Sequence, residues 1–285
     1  MKILLIGATG QLGGSLLSLP NSHEIVAPER TELDIESKES VIRAMNHYKP
    51  DVVINTAAFH NVPLCEIEPH RAFAVNCVSV RDLARVCKDF GALFVTFSTD
   101  YVFGGEKNSP YNENDKPNPL QMYGISRLAG EHAVMATAPE NSIVIRTCGL
   151  YGLAGAASKG GNFVDKRIED AKSHSQIEMG CDQVVSPTFT HDLALAVLKL
   201  IEHPQIKGGI YHLVNQGECS WYEFTKAIYE ILGLNVKVVP VDRGGFSGEM
   251  RRPRYSALAN TKAGKLGLIM PSWRDGLQRY LELKY

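Results

Sequence analysis

The chain opens with Lys2-Ile-Leu-Leu-Ile6 and turns at once into Gly7-Ala-Thr-Gly10-Gln-Leu-Gly13. No other stretch constrains the fold as much. A short apolar run reads as a strand, and glycines spaced three apart read as a tight turn into a helix. Such a turn lets the backbone approach a ligand closely, and the first turn of the helix presents free N–H groups to an anion. Gly7, Gly10, Gln11, Leu12 and Gly13 are therefore expected to cradle the pyrophosphate of a dinucleotide.

The pattern that follows supports this. Candidate strands at Ile3–Ile6, Glu24–Ala27, Val52–Asn55, Leu93–Ser98 and Ile143–Thr147 alternate with amphipathic segments near Gln11–Leu19, Lys38–Tyr48, Ala72–Asp89 and Tyr123–Thr137. Strands alternating with helices imply βαβ units and a parallel sheet. The strands are apolar throughout rather than on alternate residues, as expected when helices cover both faces. The predicted fold is α/β, a doubly wound, Rossmann-type parallel sheet.

Beyond residue 148 the pattern loosens. Gly149–Gly161 reads as a loop or lid, and Arg243–Arg254 as a polar loop. Helices are expected at Phe163–Ser173, Asp192–Glu202, Trp221–Leu232 and Trp273–Leu283, with strands at Ile210–Val214 and Val236–Val241. The expected division is a dinucleotide-binding domain of residues 1–148 plus roughly 189–214. A smaller C-terminal substrate-binding lobe takes roughly 149–188 plus 215–285.

Composition narrows the function classes. With 285 residues, 44% hydrophobic and 21% charged, the chain can bury a substantial core. A formal net charge of -1 gives no field to attract nucleic acid or an anionic membrane. The apolar run at the start is too short for a signal peptide or a membrane span, so a cytoplasmic protein is expected. The six cysteines form no CxxC pair, and the nine histidines include no HExxH. No metal site is expected.

Glu29-Arg30 follows the second strand. An acidic residue there suits the ribose hydroxyls of NAD, whereas an arginine suits the 2′-phosphate of NADP. The pair leaves the choice between NADP and NAD open. Asp34 is expected near the adenine, and Ala57 and Ala58, after the third strand, beside the pyrophosphate.

The fourth strand ends in Ser98-Thr99-Asp100-Tyr101, at the edge where a parallel sheet meets its ligand. Downstream, Tyr123-Gly-Ile-Ser-Arg127 opens a helix, and residues four apart stack on one helix face. A phenol of pKa about 10 is a poor acid at neutral pH. A cation about 4 Å away stabilises its phenolate by about 4 kcal/mol at an effective dielectric near 20, before desolvation. Tyr123 and Arg127 thus read as an activated acid that also borders the cofactor, and Thr99 as a holder of the substrate carbonyl.

These motifs, GATGQLG, STDYVF and YGISRLAGE, with DQVVSPT (182–188), RRPRYSAL (251–258) and PSWRDGLQRYL, together resemble the dTDP-4-dehydrorhamnose reductase family of extended short-chain dehydrogenases over essentially the whole chain. The resemblance implies NAD(P)H-dependent reduction at C4 of a 4-keto-6-deoxy nucleotide sugar, in dTDP-rhamnose biosynthesis. It places the proton-donor tyrosine on Tyr123, the carbonyl-binding threonine on Thr99, and the active-site lysine on Arg127. It implies a substrate pocket that includes Asp100, Tyr101, His60, Val62, Gln183, Pro187 and Arg252, in a monomer or homodimer.

The sequence departs from that family in three places. Arg127 replaces the lysine, keeping the charge but unable to release a proton. Arg146-Thr147-Cys148-Gly149 lacks the tryptophan that follows the strand, so one aromatic wall of the pocket is expected to be missing. His60 occupies an unusual position, either contacting the sugar or filling space. Two alternatives stand beside the reductase. A dehydratase or epimerase shares the fold, although Asp100-Tyr101 replaces the Asp-Glu pair that dehydration needs. An NADP-binding regulatory homologue, like the methionine adenosyltransferase β subunit, would suit drifted catalytic residues.

Overall fold

The computed structural model describes residues 1–154, 161–248 and 250–285. Its centre is a six-stranded sheet. In chain order the first half runs β1 (Lys2–Ile6), α1 (Gln11–Ser18), β2 (Glu24–Val26), α2 (Lys38–Tyr48), β3 (Val52–Asn55), α3 (Val62–Ile67), α4 (Pro69–Phe73), α5 (Val80–Asp89), β4 (Leu93–Thr99), α6 (Met122–Thr137) and β5 (Ser142–Thr147). The second half runs β6 (Leu150–Tyr151), α7 (Phe163–Ser173), β7 (Gln176–Gly180), β8 (Val184–Val185), β9 (Thr188–Phe189), α8 (Thr190–Glu202), β10 (Gly209–His212), β11 (Cys219–Ser220), α9 (Trp221–Ile231), β12 (Lys237–Val241), β13 (Phe246–Ser247), β14 (Met250–Arg251), α10 (Thr261–Lys265) and α11 (Trp273–Lys284).

The strand order is β10-β5-β4-β3-β1-β2, and every neighbouring pair is parallel. Successive residues of β1 show why its strand is apolar throughout. Leu4 and Ile6 join a core with Val41 and Met45 of α2 and Leu83 and Val86 of α5. Ile3 and Leu5 join the opposite core, with Leu12 and Leu16 of α1 and Leu193, Val197 and Leu200 of α8. Burying both faces removes the polar alternation of a half-exposed strand. The expected doubly wound sheet is observed, and β1 and β3 flank the point where strand order reverses.

A third core joins α7, α9 and α11 around Tyr151, Phe189, Phe224 and Tyr280. Beside it β7 pairs with β12 in parallel, from Lys237 opposite Gln176 to Val241 opposite Gly180. A fourth core, with Val102, Phe103, Cys148, Val185, Val214 and Tyr255, lies where the end of β4 meets the C-terminal segments.

Several boundaries differ from the sequence reading. The helix expected over Ala72–Asp89 breaks into α4, a π-helical stretch at Ala74–Ser79, and α5. Strand β7 was not expected, and the loop expected at Arg243–Arg254 contains the β13–β14 hairpin. The second strand stops at Val26, so Glu29 and Arg30 lie in the turn after it. Of the expected loop or lid at Gly149–Gly161, Leu150–Tyr151 forms a strand and residues 155–160 lie outside the described residues. Among the described residues no helix is long and apolar enough to cross a membrane.

Candidate active site

The glycine turn is a tight backbone crossing. Gly7 has φ +85°, and a Cβ there would lie 2.6 Å from Thr56 Oγ1 and 2.8 Å from the Ala57 amide nitrogen. A side chain at Gly13 would overlap the Gly7 carbonyl. The loop after β1 therefore sits directly on the loop after β3, where Thr56 Oγ1 lies 2.8 Å from the Ile6 carbonyl oxygen and 2.9 Å from that of Gly7. Helix α1 starts at Gly10 with no side-chain cap and no acidic residue in its first turn. Two buried polar atoms nearby lack partners, Gln11 Oε1 and Asn55 Nδ2. The uncapped helix start and the free Asn55 N–H donor suit a bound pyrophosphate, whereas the Gln11 oxygen is an acceptor and does not.

The remaining cofactor candidates are more scattered. Ala57 and Ala58 are half-buried at the carboxyl end of β3. Glu29 and Arg30 are exposed, with Arg30 3.4 Å from Glu36 across a side chain that is 75% accessible. Such exposure leaves both able to meet a ribose or its phosphate. Asp34 accepts the Glu36 amide at 3.1 Å, which shapes the approach to α2.

Tyr123 lies in the first turn of α6, whose start is held on two sides. Gln121 Oε1 accepts the Gly124 amide at 2.8 Å, and Glu66 Oε1 accepts the Met122 amide at 2.7 Å. One turn on, Arg127 is buried at 6% exposure. Its guanidinium donates to the Phe97 carbonyl and, at 3.4 Å, to Asn76 Oδ1. Neither acceptor is charged, so the nearby phenol can draw on the full positive charge. Another turn on, Glu131 accepts from Ser98 Oγ at 2.5 Å and pairs with Arg146, fixing α6 to β4 and β5.

Burial raises the Tyr123 phenol above its ordinary value; Arg127 opposes this, Asp100 adds to it, and Thr99 opposes it. The net direction corrects the expectation that Arg127 would leave the phenol more acidic. Desolvation outweighs the neighbouring cation. Tyr123 is thus a protonated phenol at neutral pH, with a cation placed to stabilise the phenolate once its proton has gone.

Thr99 and Asp100 are buried at the end of β4. Thr99 Oγ1 accepts the Tyr101 amide at 3.2 Å and donates to Asp100 Oδ1 at 2.9 Å. The Tyr101 ring stands edge-on to Tyr123, with centroids 6.1 Å apart. Arg252 Nη1 donates to the Tyr101 hydroxyl at 2.7 Å, and Ser256 Oγ donates to Asp100 Oδ2 at 2.6 Å. Segment 251–258 is therefore joined to the strand end at two adjacent residues.

Among the other candidates, Val62, Gln183 and Pro187 are buried, and His60 Nδ1 lies 3.3 Å from the Ala58 carbonyl oxygen. At Gly149, φ +56°, a Cβ would sit 3.2 Å from Pro187 Cα and 3.4 Å from Trp221 Cη2. An indole carried by α9 thus stands beside the position where the family's tryptophan was expected. Sequence reasoning missed Asn76, and gave Glu131 and Ser256, which lie in the YGISRLAGE and RRPRYSAL motifs, no role of their own. Glu131 continues the four-residue spacing of Tyr123 and Arg127, which was a usable signal. Asn76 sits in the π-helical stretch, bonded to Phe59 and Ser126, and no local pattern announces it. No group of three or more His, Cys, Asp or Glu among the described residues could hold a metal ion.

The fold and the placement of Tyr123 put the chain in the extended short-chain dehydrogenase/reductase class. Its sequence matches the family described as RmlD substrate binding domain over residues 1–285, and the chain belongs to that family. It is similar to the spore coat polysaccharide biosynthesis protein SpsK of Bacillus subtilis (strain 168), at 38% identity over 99% of this chain and 97% of the relative. Among solved structures it resembles a dTDP-4-dehydrorhamnose reductase from Clostridium acetobutylicum, with TM-score 0.91, 38% identity and 99% of each chain covered. It also resembles that enzyme from Bacillus anthracis in complex with NADP, with TM-score 0.92, 34% identity and 99% of each chain covered.

Proposed function

We propose that this chain reduces the C4 ketone of a dTDP-linked 4-keto-6-deoxy sugar with NADPH or NADH, as a dTDP-4-dehydrorhamnose reductase in the cytoplasm. The observation that carries the reading is the half-buried Tyr123 phenol, kept protonated by desolvation, with Thr99 at its oxygen and the buried Arg127 guanidinium one helical turn away. A base would need its phenol ionised at rest, whereas a ketone reductase needs it protonated. The structures in the comparison named for this activity, one of them with NADP, support the same direction.

In this reading Gly7, Gly10 and Gly13 bring backbone amides to the pyrophosphate, with Gln11, Leu12, Ala57 and Ala58 lining its path. Glu29, Arg30 and Asp34 meet the adenosine. A bound nicotinamide supplies the hydride. Thr99 holds the ketone oxygen while Tyr123 gives that oxygen its proton. Arg127 stabilises the resulting phenolate and reaches the nicotinamide ribose. Asp100, Tyr101, His60, Val62, Gln183, Pro187 and Arg252 border the sugar nucleotide. Residues 1–148 with roughly 189–214 form the cofactor domain of a monomer or homodimer, and the rest forms the sugar lobe.

The test is NADPH oxidation with a dTDP-4-keto-6-deoxyhexose. Tyr123→Phe should lower kcat/KM by about a hundredfold or more while leaving coenzyme affinity intact. Equal rates in wild type and Tyr123→Phe would reject the assignment of the acid. A wild type that binds coenzyme without turnover, with activity appearing in Arg127→Lys, would point instead to a regulatory homologue.

A further inference from the structure

The single proton of Thr99 is in demand from several sides, one of them the Tyr123 oxygen, to which Thr99 is hydrogen-bonded. Its oxygen already accepts the Tyr101 amide, and its hydroxyl is directed at Asp100 Oδ1, 2.9 Å away. A ketone beside Tyr123 carries no hydrogen to offer Thr99, so it too must be served by that one proton. An ionised Asp100 would win it, because a carboxylate is a much stronger acceptor than a ketone. Thr99 would then turn a lone pair toward the substrate oxygen.

The surroundings of Asp100 point to the opposite protonation state. The residue is 4% exposed, its other oxygen accepts from Ser256 at 2.6 Å, and the Cys148 thiol also bonds the carboxyl. No lysine, arginine or histidine among the described residues forms an ion pair with it. Its ionisable neighbours are Tyr101 on the same turn, Tyr123 on α6 and Cys148 after β5, all carrying their protons because burial raises each of them. The two nearby guanidiniums are engaged elsewhere, Arg127 with Phe97 and Asn76, and Arg252 with the Tyr101 hydroxyl. Burial pushes the Asp100 carboxyl up, partly offset by hydrogen bonds from Ser256, Cys148 and Thr99. Burial without a cation favours the neutral carboxyl, and a neutral acid can donate.

We propose that Asp100 is a protonated carboxylic acid that donates to Thr99 Oγ1 and thereby turns the Thr99 hydroxyl onto the ketone oxygen. Asp100 is then a positioning residue. Its proton stays on Asp100 and that of Thr99 stays on Thr99; only Tyr123 loses a proton, to the substrate oxygen. As negative charge builds on that oxygen, the two linked donors strengthen together. The inference rests on the reading of Thr99 as the carbonyl holder.

The first test needs no turnover. In protein labelled with ¹³C at the aspartate carboxyls, the resonance lost in Asp100→Asn identifies Asp100. It should keep the chemical shift of the protonated acid well above the pH at which an ordinary aspartate, near 4, has ionised. Titration near pH 4 would overturn the proposal, whether or not the protein reduces a keto-sugar. Absence of turnover with coenzyme bound would instead count against the reductase reading.

The second test is the pH profile of kcat/KM. Wild type should lose activity as pH rises through the Asp100 transition, with a further alkaline limb from Tyr123. Asp100→Asn can donate to Thr99 at every pH, so it should lack the first limb while losing less than about tenfold in kcat/KM. Asp100→Ala should lose about a hundredfold, the size expected when a donor to a developing oxyanion is lost. Identical profiles for wild type and Asp100→Asn would overturn the proposal. So would an Asp100→Asn protein that binds NADPH normally yet is inactive at all pH values.

Discussion

Glu131 and Arg146 form a bidentate ion pair sealed from water, with Nε to Oε1 at 2.9 Å and Nη2 to Oε2 at 2.6 Å. The side chains are 2% and 3% exposed. Glu131 is on the helix that carries Tyr123 and Arg127, and Arg146 is on β5, so the pair fixes that helix against the sheet. Removing one partner leaves an uncompensated buried charge, which typically costs about 3–5 kcal/mol. Glu131→Gln should lower urea-unfolding stability by that amount. An unchanged midpoint would mean that other contacts hold the helix in place.

The same arginine explains an expected sensitivity to acid. His212 is fully buried beside Arg146, and burial together with that charge pushes its pKa down to about 3. An unfolded histidine titrates near 6.5, so between about pH 6.5 and 3 the unfolded chain binds a proton that the native state refuses. Stability is therefore present above that window and lost as pH falls through it. The slope from this residue is at most about 1.4 kcal/mol per pH unit. His212→Gln should flatten the fall in thermal midpoint between pH 6.5 and 4, and an equally steep fall would place the sensitivity elsewhere.

Within the glycine turn the three positions are not equivalent. A methyl at Gly13 would collide with the Gly7 carbonyl, whereas one at Gly10 would sit 3.4 Å from it. Gly13→Ala should therefore destabilise the protein by about 1–3 kcal/mol and weaken coenzyme binding, because the turn itself must shift. Gly10→Ala should cost markedly less stability. Thermal unfolding and coenzyme titration of both variants, ranked the other way, would contradict the cradle described above.

How far the sequence revealed this molecule follows from how local each signal is. The strands β1, β3, β4 and β5 were legible because helices on both faces make their centres continuous apolar runs, and β2 because Ile25 and Val26 follow the first helix. Strand β7, Gln176-Ile-Glu-Met-Gly180, was not, because it lies in a two-stranded sheet and carries polar residues at Gln176 and Glu178. The π-helical stretch at 74–79 keeps a helical pattern, so nothing in the residues marks the change of winding. Tyr123 and Arg127 could be paired from their spacing alone. The engagement of Thr99 with Asp100, and of Asp100 with Ser256 156 residues away, could not. The sign of the Tyr123 shift was missed for the same reason, since burial is set by the whole fold.

The two ties from Asp100 and Tyr101 to Ser256 and Arg252 also bear on how such an enzyme could be adapted. On the proposed reading, the C-terminal strip that borders the sugar is wired into the turn that would orient the reacting oxygen. Transplanting that strip from a relative would alter the timing of protonation along with the choice of ligand. Retargeting this scaffold therefore means carrying the strand-end residues across with the strip, as one cassette.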